Sequence, residues 1–143
     1  MIDDHYSTTV FEMYPTGHNR MIEKLQPSSR YQDAQQMKPL WAQVLKEWEL
    51  DPAAFEGRAQ EGRLALQQAR RKLGPARGYG YFDKLTDDEL TDQMHHTCFP
   101  NLTLTLTAEG LHVFRTEPDA EDPNWSTFDY WYLVPHVEGA SEV

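Results

Sequence analysis

Six histidines, one cysteine and a few clustered carboxylates are the residues of this chain best able to do chemistry. The histidines are His5, His18, His95, His96, His112 and His136. A metal held by Asp3, Asp4, His5 and His18 would need His18 to return to the start of the chain. Pro15 to Asn19 reads as a hairpin tip, so His18 falls one strand length from His5, which argues against that site. His95 and His96 are adjacent, and on a helix neighbours point about 100° apart and do not face one ion easily. Cys98 is the single cysteine, so no internal disulfide and no Cys-rich metal site can form. Beside Phe99 it reads as a small buried hydrophobe. Asp119, Glu121 and Asp122 form an acidic loop without EF-hand spacing, which disfavours calcium. Gly78 and Gly80 follow no strand, so they imply no phosphate site, and no Gly-x-Ser-x-Gly, Walker or His-Glu-x-x-His pattern occurs.

The elements that must position these residues start with Leu102-Thr103-Leu104-Thr105-Leu106-Thr107. Leucine and threonine alternate with a period of two, so the leucines share one face of a strand and the threonines the other. Pro100 fits the start of that strand. Ala108-Glu109-Gly110 turns the chain, with Gly110 free for positive φ. Strands over 111–117 and 126–134 complete an antiparallel meander. At the other end, residues 6–26 read as a hairpin. Between them, Met37, Leu40, Trp41, Val44, Leu45 and Trp48 recur at helical spacing, predicting a helix over about 34–49 with Pro39 near its regular start. Asp51-Pro52 starts another, which Gly57 and Gly62 weaken and Gly74-Pro75 ends. Gly78 to Phe82 reads as a flexible aromatic loop. Thr86-Asp87-Asp88-Glu89 is a capping box, predicting a short helix to about Met94. Residues 139–143 read as a frayed end. Strands segregated from helices argue an α+β fold.

The chain has 143 residues, the size of one domain. Its net charge of −10 argues against nucleic-acid binding and against an anionic membrane surface. Arg70-Arg71-Lys72, with Arg77 nearby, reads as a solvated helix end whose cations suit the helix dipole. No secretory segment and no 18-residue apolar run appears, so the cytoplasm is the expected location.

Asp92-Gln93-Met94-His95-His96-Thr97-Cys98-Phe99-Pro100-Asn101-Leu102, then Gly110-Leu111-His112-Val113-Phe114-Arg115, Asp122-Pro123 and Phe128-Asp129-Tyr130-Trp131-Tyr132-Leu133 form an ordered series. It resembles the catalytic domain of Rieske non-haem iron oxygenases, and more narrowly the alpha (large) subunit of aromatic-ring-hydroxylating dioxygenases. Asp3-Asp4-His5-Tyr6-Ser7 and Met13 to Met21 are similar to another part of it. Residues 1–143 thus resemble the middle of that domain as a single unit. The resemblance implies an antiparallel sheet with helices in the START-like, helix-grip (SRPBCC-type) architecture, here incomplete. It implies an oxidoreductase that inserts dioxygen into an apolar aromatic small molecule. The family uses Fe(II), held by two histidines and a carboxylate, and a 2Fe–2S cluster. This chain has no His-x4-His or His-x5-His pair and too few cysteines, so no metal ligand and no cofactor is expected in it, and activity alone is not expected. The partners implied are a Rieske domain and a ferredoxin or reductase, with a homo-oligomer through sheet edges as a further possibility.

By resemblance, His95 or His96 approaches the substrate, and Asn101, Thr103 and Thr105 line its pocket. Two bland readings stand beside these: a histidine held at a helix end, and a solvated polar face. The leucines of the same strand could line an apolar pocket instead. Phe128, Tyr130 and Tyr132 would either line a cavity for a flat ligand or form ordinary core. A non-catalytic START-like module binding a hydrophobic small molecule is the alternative function.

Overall fold

A computed structural model describes residues 9–24 and 39–135 of the chain. Thr9–Met13 forms strand β1 and Asn19–Glu23 forms β2, paired antiparallel. Tyr14 N donates to His18 O at 2.9 Å and closes the hairpin tip where the turn residues indicated it. The expectations for Asp3, Asp4, His5 and His136, a strand start near Tyr6, a helix start over 34–38 and an end at 139–143 lie outside the described residues.

Helix α1 spans Pro39–Glu47 and α2 spans Ala59–Leu73. Asp51 Oδ1 accepts from Ala53 N at 3.1 Å and starts a 3₁₀ turn over Pro52–Phe55. Gly57 then takes φ 68°, a conformation open to glycine, and breaks the helical course as its position suggested. Trp41, Leu45 and Trp48 bury their side chains with Leu66 of α2, Phe82, Leu90 and Ala108. That cluster is the main core.

Three segments differ from the sequence expectations. Residues 78–82 are not a loose loop, because their three aromatic rings pack into or against the core. Phe82 is wholly buried in a 3₁₀ turn, with Tyr79 stacked on it at 4.8 Å, Tyr81 edge-on at 5.2 Å and Trp48 at 5.9 Å. Aromatic area of this size outweighs the local freedom of the two glycines. The basic run is not a solvated helix end. Arg70 is buried, bonded to Leu90 O and paired with Glu109, and its guanidinium lies 5.3 Å from the Trp48 ring. Arg71 donates to Phe82 O and Leu85 O and pairs with Asp87 at 2.7 Å. These cations close the carbonyls of an irregular segment that has few ladder partners. The capping box forms, with Thr86 N donating to Glu89 Oε2 at 2.8 Å and Glu89 N to Thr86 Oγ1 at 3.2 Å. It caps one turn and no helix. Asp92 pairs with Arg63 of α2 at 2.7 Å, and β3 begins at Gln93. A single turn repays little of its nucleation cost, so strand pairing on both sides prevails.

β3 (Gln93–Cys98), β4 (Leu102–Leu106), β5 (Leu111–Pro118) and β6 (Ser126–Leu133) extend the hairpin into an antiparallel sheet, six-stranded among the described residues, in the order β1-β2-β3-β4-β5-β6. This is an α+β architecture of the helix-grip kind. The helical layer joins the sheet at one end. Tyr81 OH donates to Ala108 O at 2.7 Å, and the Arg70–Glu109 and Arg63–Asp92 pairs stand beside it. Gly110 does not take positive φ. A Cβ there would meet Leu133 O at 2.7 Å and the Tyr132 ring at 2.9 Å, so close approach of β6 is what requires glycine.

Alternate residues of a strand send their N–H and C=O groups to opposite sides. Thr116 N donates to Asn101 O, so Thr116, Phe114 and His112 bond toward β4 while Arg115, Val113 and Leu111 bond toward β6. The partners of the latter are Asp129, Trp131 and Leu133. The backbone groups of Phe128, Tyr130 and Tyr132 therefore point away from β5, along an edge that no other described strand covers.

Candidate functional site

The register sorts the candidate residues by face. His95 lies opposite Thr105, which lies opposite His112, which lies opposite Tyr132. The next row is Thr97, Thr103, Phe114 and Tyr130, and Phe128 follows opposite Thr116. Five of the expected residues, His95, Thr103, Thr105, Phe128 and Tyr130, thus share one face. His96 does not. Because β3 is a strand and no helix end, its neighbours alternate, and His96 lies in the row of Arg20 and Leu104 on the other face. Asn101 sits in the turn before β4 with its carbonyl on Thr116 N at 3.1 Å.

On the shared face, His95 Nδ1 and Thr105 Oγ1 are 2.8 Å apart, and His95 Nε2 is 3.7 Å from Glu23 Oε2. Thr105 is buried, so this part of the threonine face is not simply solvated. His112 Nδ1 and Tyr130 OH are also 2.8 Å apart. The rings of Phe114 and Tyr130 stack at 5.2 Å, those of His112 and Tyr132 lie 4.5 Å apart, and Phe128 is 5.9 Å from Phe114. Burial, with Glu109 nearby, pushes the Tyr132 phenol up. These rings are neither core nor an enclosed cavity: Phe128 is 62% exposed and Tyr130 51%. They form an aromatic wall open on one side. His112 and Phe114 belong to that wall, and the spacing of His112-Val113-Phe114 along a strand is the signal that would have found them. His18 lies apart, its Nδ1 accepting from Phe99 N at 3.1 Å. Phe99 itself is exposed and Cys98 half-buried, so Cys98 is not the buried hydrophobe expected; β3 leaves the core before reaching it.

The opposite face carries a cavity of about 320 Å³ where the sheet meets the helical layer. Met94, Leu106, Leu111 and Leu133 form its floor as one cross-strand row. Tyr81 and Leu85 cover it. Leu106 fulfils the expectation of an apolar pocket along β4, whereas Leu102 and Leu104 do not reach it. Burial pushes the Tyr81 phenol up to about 12, so it stays protonated and keeps its bond to Ala108 O.

A family profile described as ring hydroxylating alpha subunit (catalytic domain) matches residues 25–143. The chain belongs to this family. Among curated proteins and among solved structures nothing matches. The described residues of this ring-hydroxylating alpha-subunit domain do not fit an iron centre of two histidines and a carboxylate. No three His, Cys, Asp or Glu side chains among them are arranged to hold a metal ion. His95 has Glu23 close by, but His112 stands two strands away, roughly 10 Å at ordinary strand spacing. One cysteine in the whole chain cannot serve a Rieske cluster either. No described helix is long and apolar enough to cross a membrane.

Proposed function

We propose that this chain supplies the scaffold and one substrate wall of the catalytic domain of an aromatic-ring-hydroxylating dioxygenase, an oxidoreductase that adds dioxygen to an apolar aromatic compound of the hydrocarbon class. The observation that carries the proposal is the joint placement of His95, Thr105, Phe114 and Tyr130 on one sheet face, in a chain of this family. The rings of Phe114, Phe128 and Tyr130 offer a flat apolar substrate stacking surfaces, and area of this kind dominates the affinity of aromatic pockets. Thr105 fixes the His95 ring so that its polar edge defines one end of that surface. Thr103 stands beside it on the same strand face. On this reading Fe(II) and the 2Fe–2S cluster are held by other residues of the enzyme, and the chain alone does not oxygenate. Electrons come from partner proteins, a Rieske domain and a ferredoxin or reductase, in the cytoplasm. The open sheet edges pair in an oligomer.

Naphthalene titrated into isotope-labelled chain tests the wall. Shifts at His95, Thr105 and Tyr130 are expected, and their absence at saturating naphthalene sinks the proposal. Elemental analysis after anaerobic Fe(II) loading and desalting tests the rest. Iron well below one per chain is expected; stoichiometric iron would overturn the assignment of the metal to other residues.

A further inference from the structure

The cavity on the opposite face belongs to a different site from the aromatic wall. Leu106 points into it and the adjacent Thr105 points away, because neighbours on a strand face opposite sides. Its volume of about 320 Å³ lies at the small end of ligand pockets, roughly 300–1,000 Å³. Its walls are mostly apolar, and the polar groups that reach it are few. The Tyr81 hydroxyl is spent on Ala108 O and the Thr107 hydroxyl on Gly110 O. Asp92 faces the cavity, but its charge is met by Arg63 at 2.7 Å.

Glu89 differs from these. Its Oε2 accepts from Thr86 N at 2.8 Å and from Thr86 Oγ1 at 2.9 Å, which fixes the carboxylate, while Oε1 has no partner among the described residues. The same bonds hold the Glu89 carboxyl below the usual carboxylate range. It carries no cation partner, so it is the one unmatched charge lining the cavity among the described residues. A guest here meets an apolar chamber and a single anchored anion.

We infer that this cavity binds a compact apolar amine of one or two rings, its hydrocarbon body over Met94, Leu106, Leu111 and Leu133 and its ammonium against Glu89. The same arrangement excludes carboxylates and phosphates, which would meet Glu89 inside a chain of net charge −10. The inference does not depend on the proposed oxygenase role, since it uses the other face of the sheet.

Three probes of matched shape test it on methyl-labelled full chain: 2-phenylethylamine, propylbenzene and phenylacetate. The amine is expected to shift the methyls of Met94, Leu106, Leu111 and Leu133, binding about fivefold tighter than propylbenzene. Phenylacetate is expected to leave them unmoved. Glu89→Gln should bring the amine down to the affinity of propylbenzene and leave propylbenzene unchanged. Leu111→Trp should fill the chamber and abolish both. Should Leu111→Trp fail to fold, Leu106→Phe on the same floor provides the block. Equal binding of amine and acid, an unaltered amine affinity in Glu89→Gln, or amine shifts confined to the Thr105 methyl would each overturn the inference. A naphthalene response at the wall with no amine response at these methyls would overturn this site and leave the oxygenase reading standing.

Discussion

Thr105 is a small residue on which the orientation of His95 depends. Replacing it by valine keeps the shape and removes the hydroxyl 2.8 Å from His95 Nδ1. A lost hydrogen bond at a buried residue costs about 1 kcal/mol, so urea denaturation should show Thr105→Val modestly less stable, and naphthalene binding should weaken as the ring is freed. Arg63 carries a larger burden. It pairs with Asp92 at 2.7 Å, the two side chains only 7% and 4% exposed, and it also meets Asp88 at 2.7 Å. Arg63→Met strands a buried carboxylate, and breaking such a pair costs about 3–5 kcal/mol. Burial raises the Asp92 carboxyl above its ordinary value, and Arg63 opposes the rise. A raised carboxyl makes the folded chain hold more protons than the unfolded one, so its contribution to stability falls as pH climbs from the ordinary value through the folded one. Without Arg63 that window reaches to higher pH. The deficit of Arg63→Met should therefore be smaller at pH 4 than at pH 7, as thermal melts of both proteins at the two values would show. Glu89 has the opposite sign: its carboxyl is lowered, mainly by the bond from Thr86 N, so its contribution is lost as pH falls through its folded value.

At the scale of elements, the 3₁₀ segment and the β4–β5 turn make the sharpest claims. Phe82 is fully buried among Tyr79, Tyr81 and Trp48. Phe82→Ala should cost about 3–5 kcal/mol, measured by chemical denaturation. Gly110→Ala should cost about 1–3 kcal/mol, because the added methyl meets the Leu133 carbonyl and the Tyr132 ring and pushes β6 outward. The strands that the sequence revealed are those with strict alternation. Leu102 to Leu106 could form little else, and its register assigned the threonine face on which the candidate wall lies. β3 was hidden because Gln93-Met94-His95-His96-Thr97-Cys98 has no apolar period and follows a capping box that does form. That one misplacement put His96 beside His95 in the candidate set, although a strand separates them by face. The packing of the 78–82 rings was hidden for a related reason. The segment's glycines mark a turn correctly, but only the approach of Trp48 and α2 brings the three rings into or against the core. Of the cavity only Leu106 was legible, through the leucine face of β4, since the rest of its floor comes from three other strands and its anchor from a turn.

At the scale of the molecule, among the described residues the core lies under one end of the sheet, and large apolar side chains are exposed along β1 and β6. Phe11 and Met13 stand on β1, and Trp125, Phe128, Tyr130 and Trp131 on or beside β6. Natural edges are usually guarded by lysine, proline or a bulge, and β6 runs in unbroken register from Ser126 to Leu133 with Asp129 as its only charge, already paired with Arg115 at 2.8 Å. Sedimentation at rising concentration should show association. Phe128→Pro should reduce it without unzipping the β5 ladder, because the N–H it removes points outward. The direction of those backbone groups also writes a pattern that needs no partner to be read. In deuterated water the amides of Thr127, Asp129, Trp131 and Leu133, bonded inward, should retain their protons, while those of Phe128, Tyr130 and Tyr132 should exchange early. β6 would then label at every second residue, and strand pairing anywhere on that edge would appear as the sudden protection of the three aromatic amides alone.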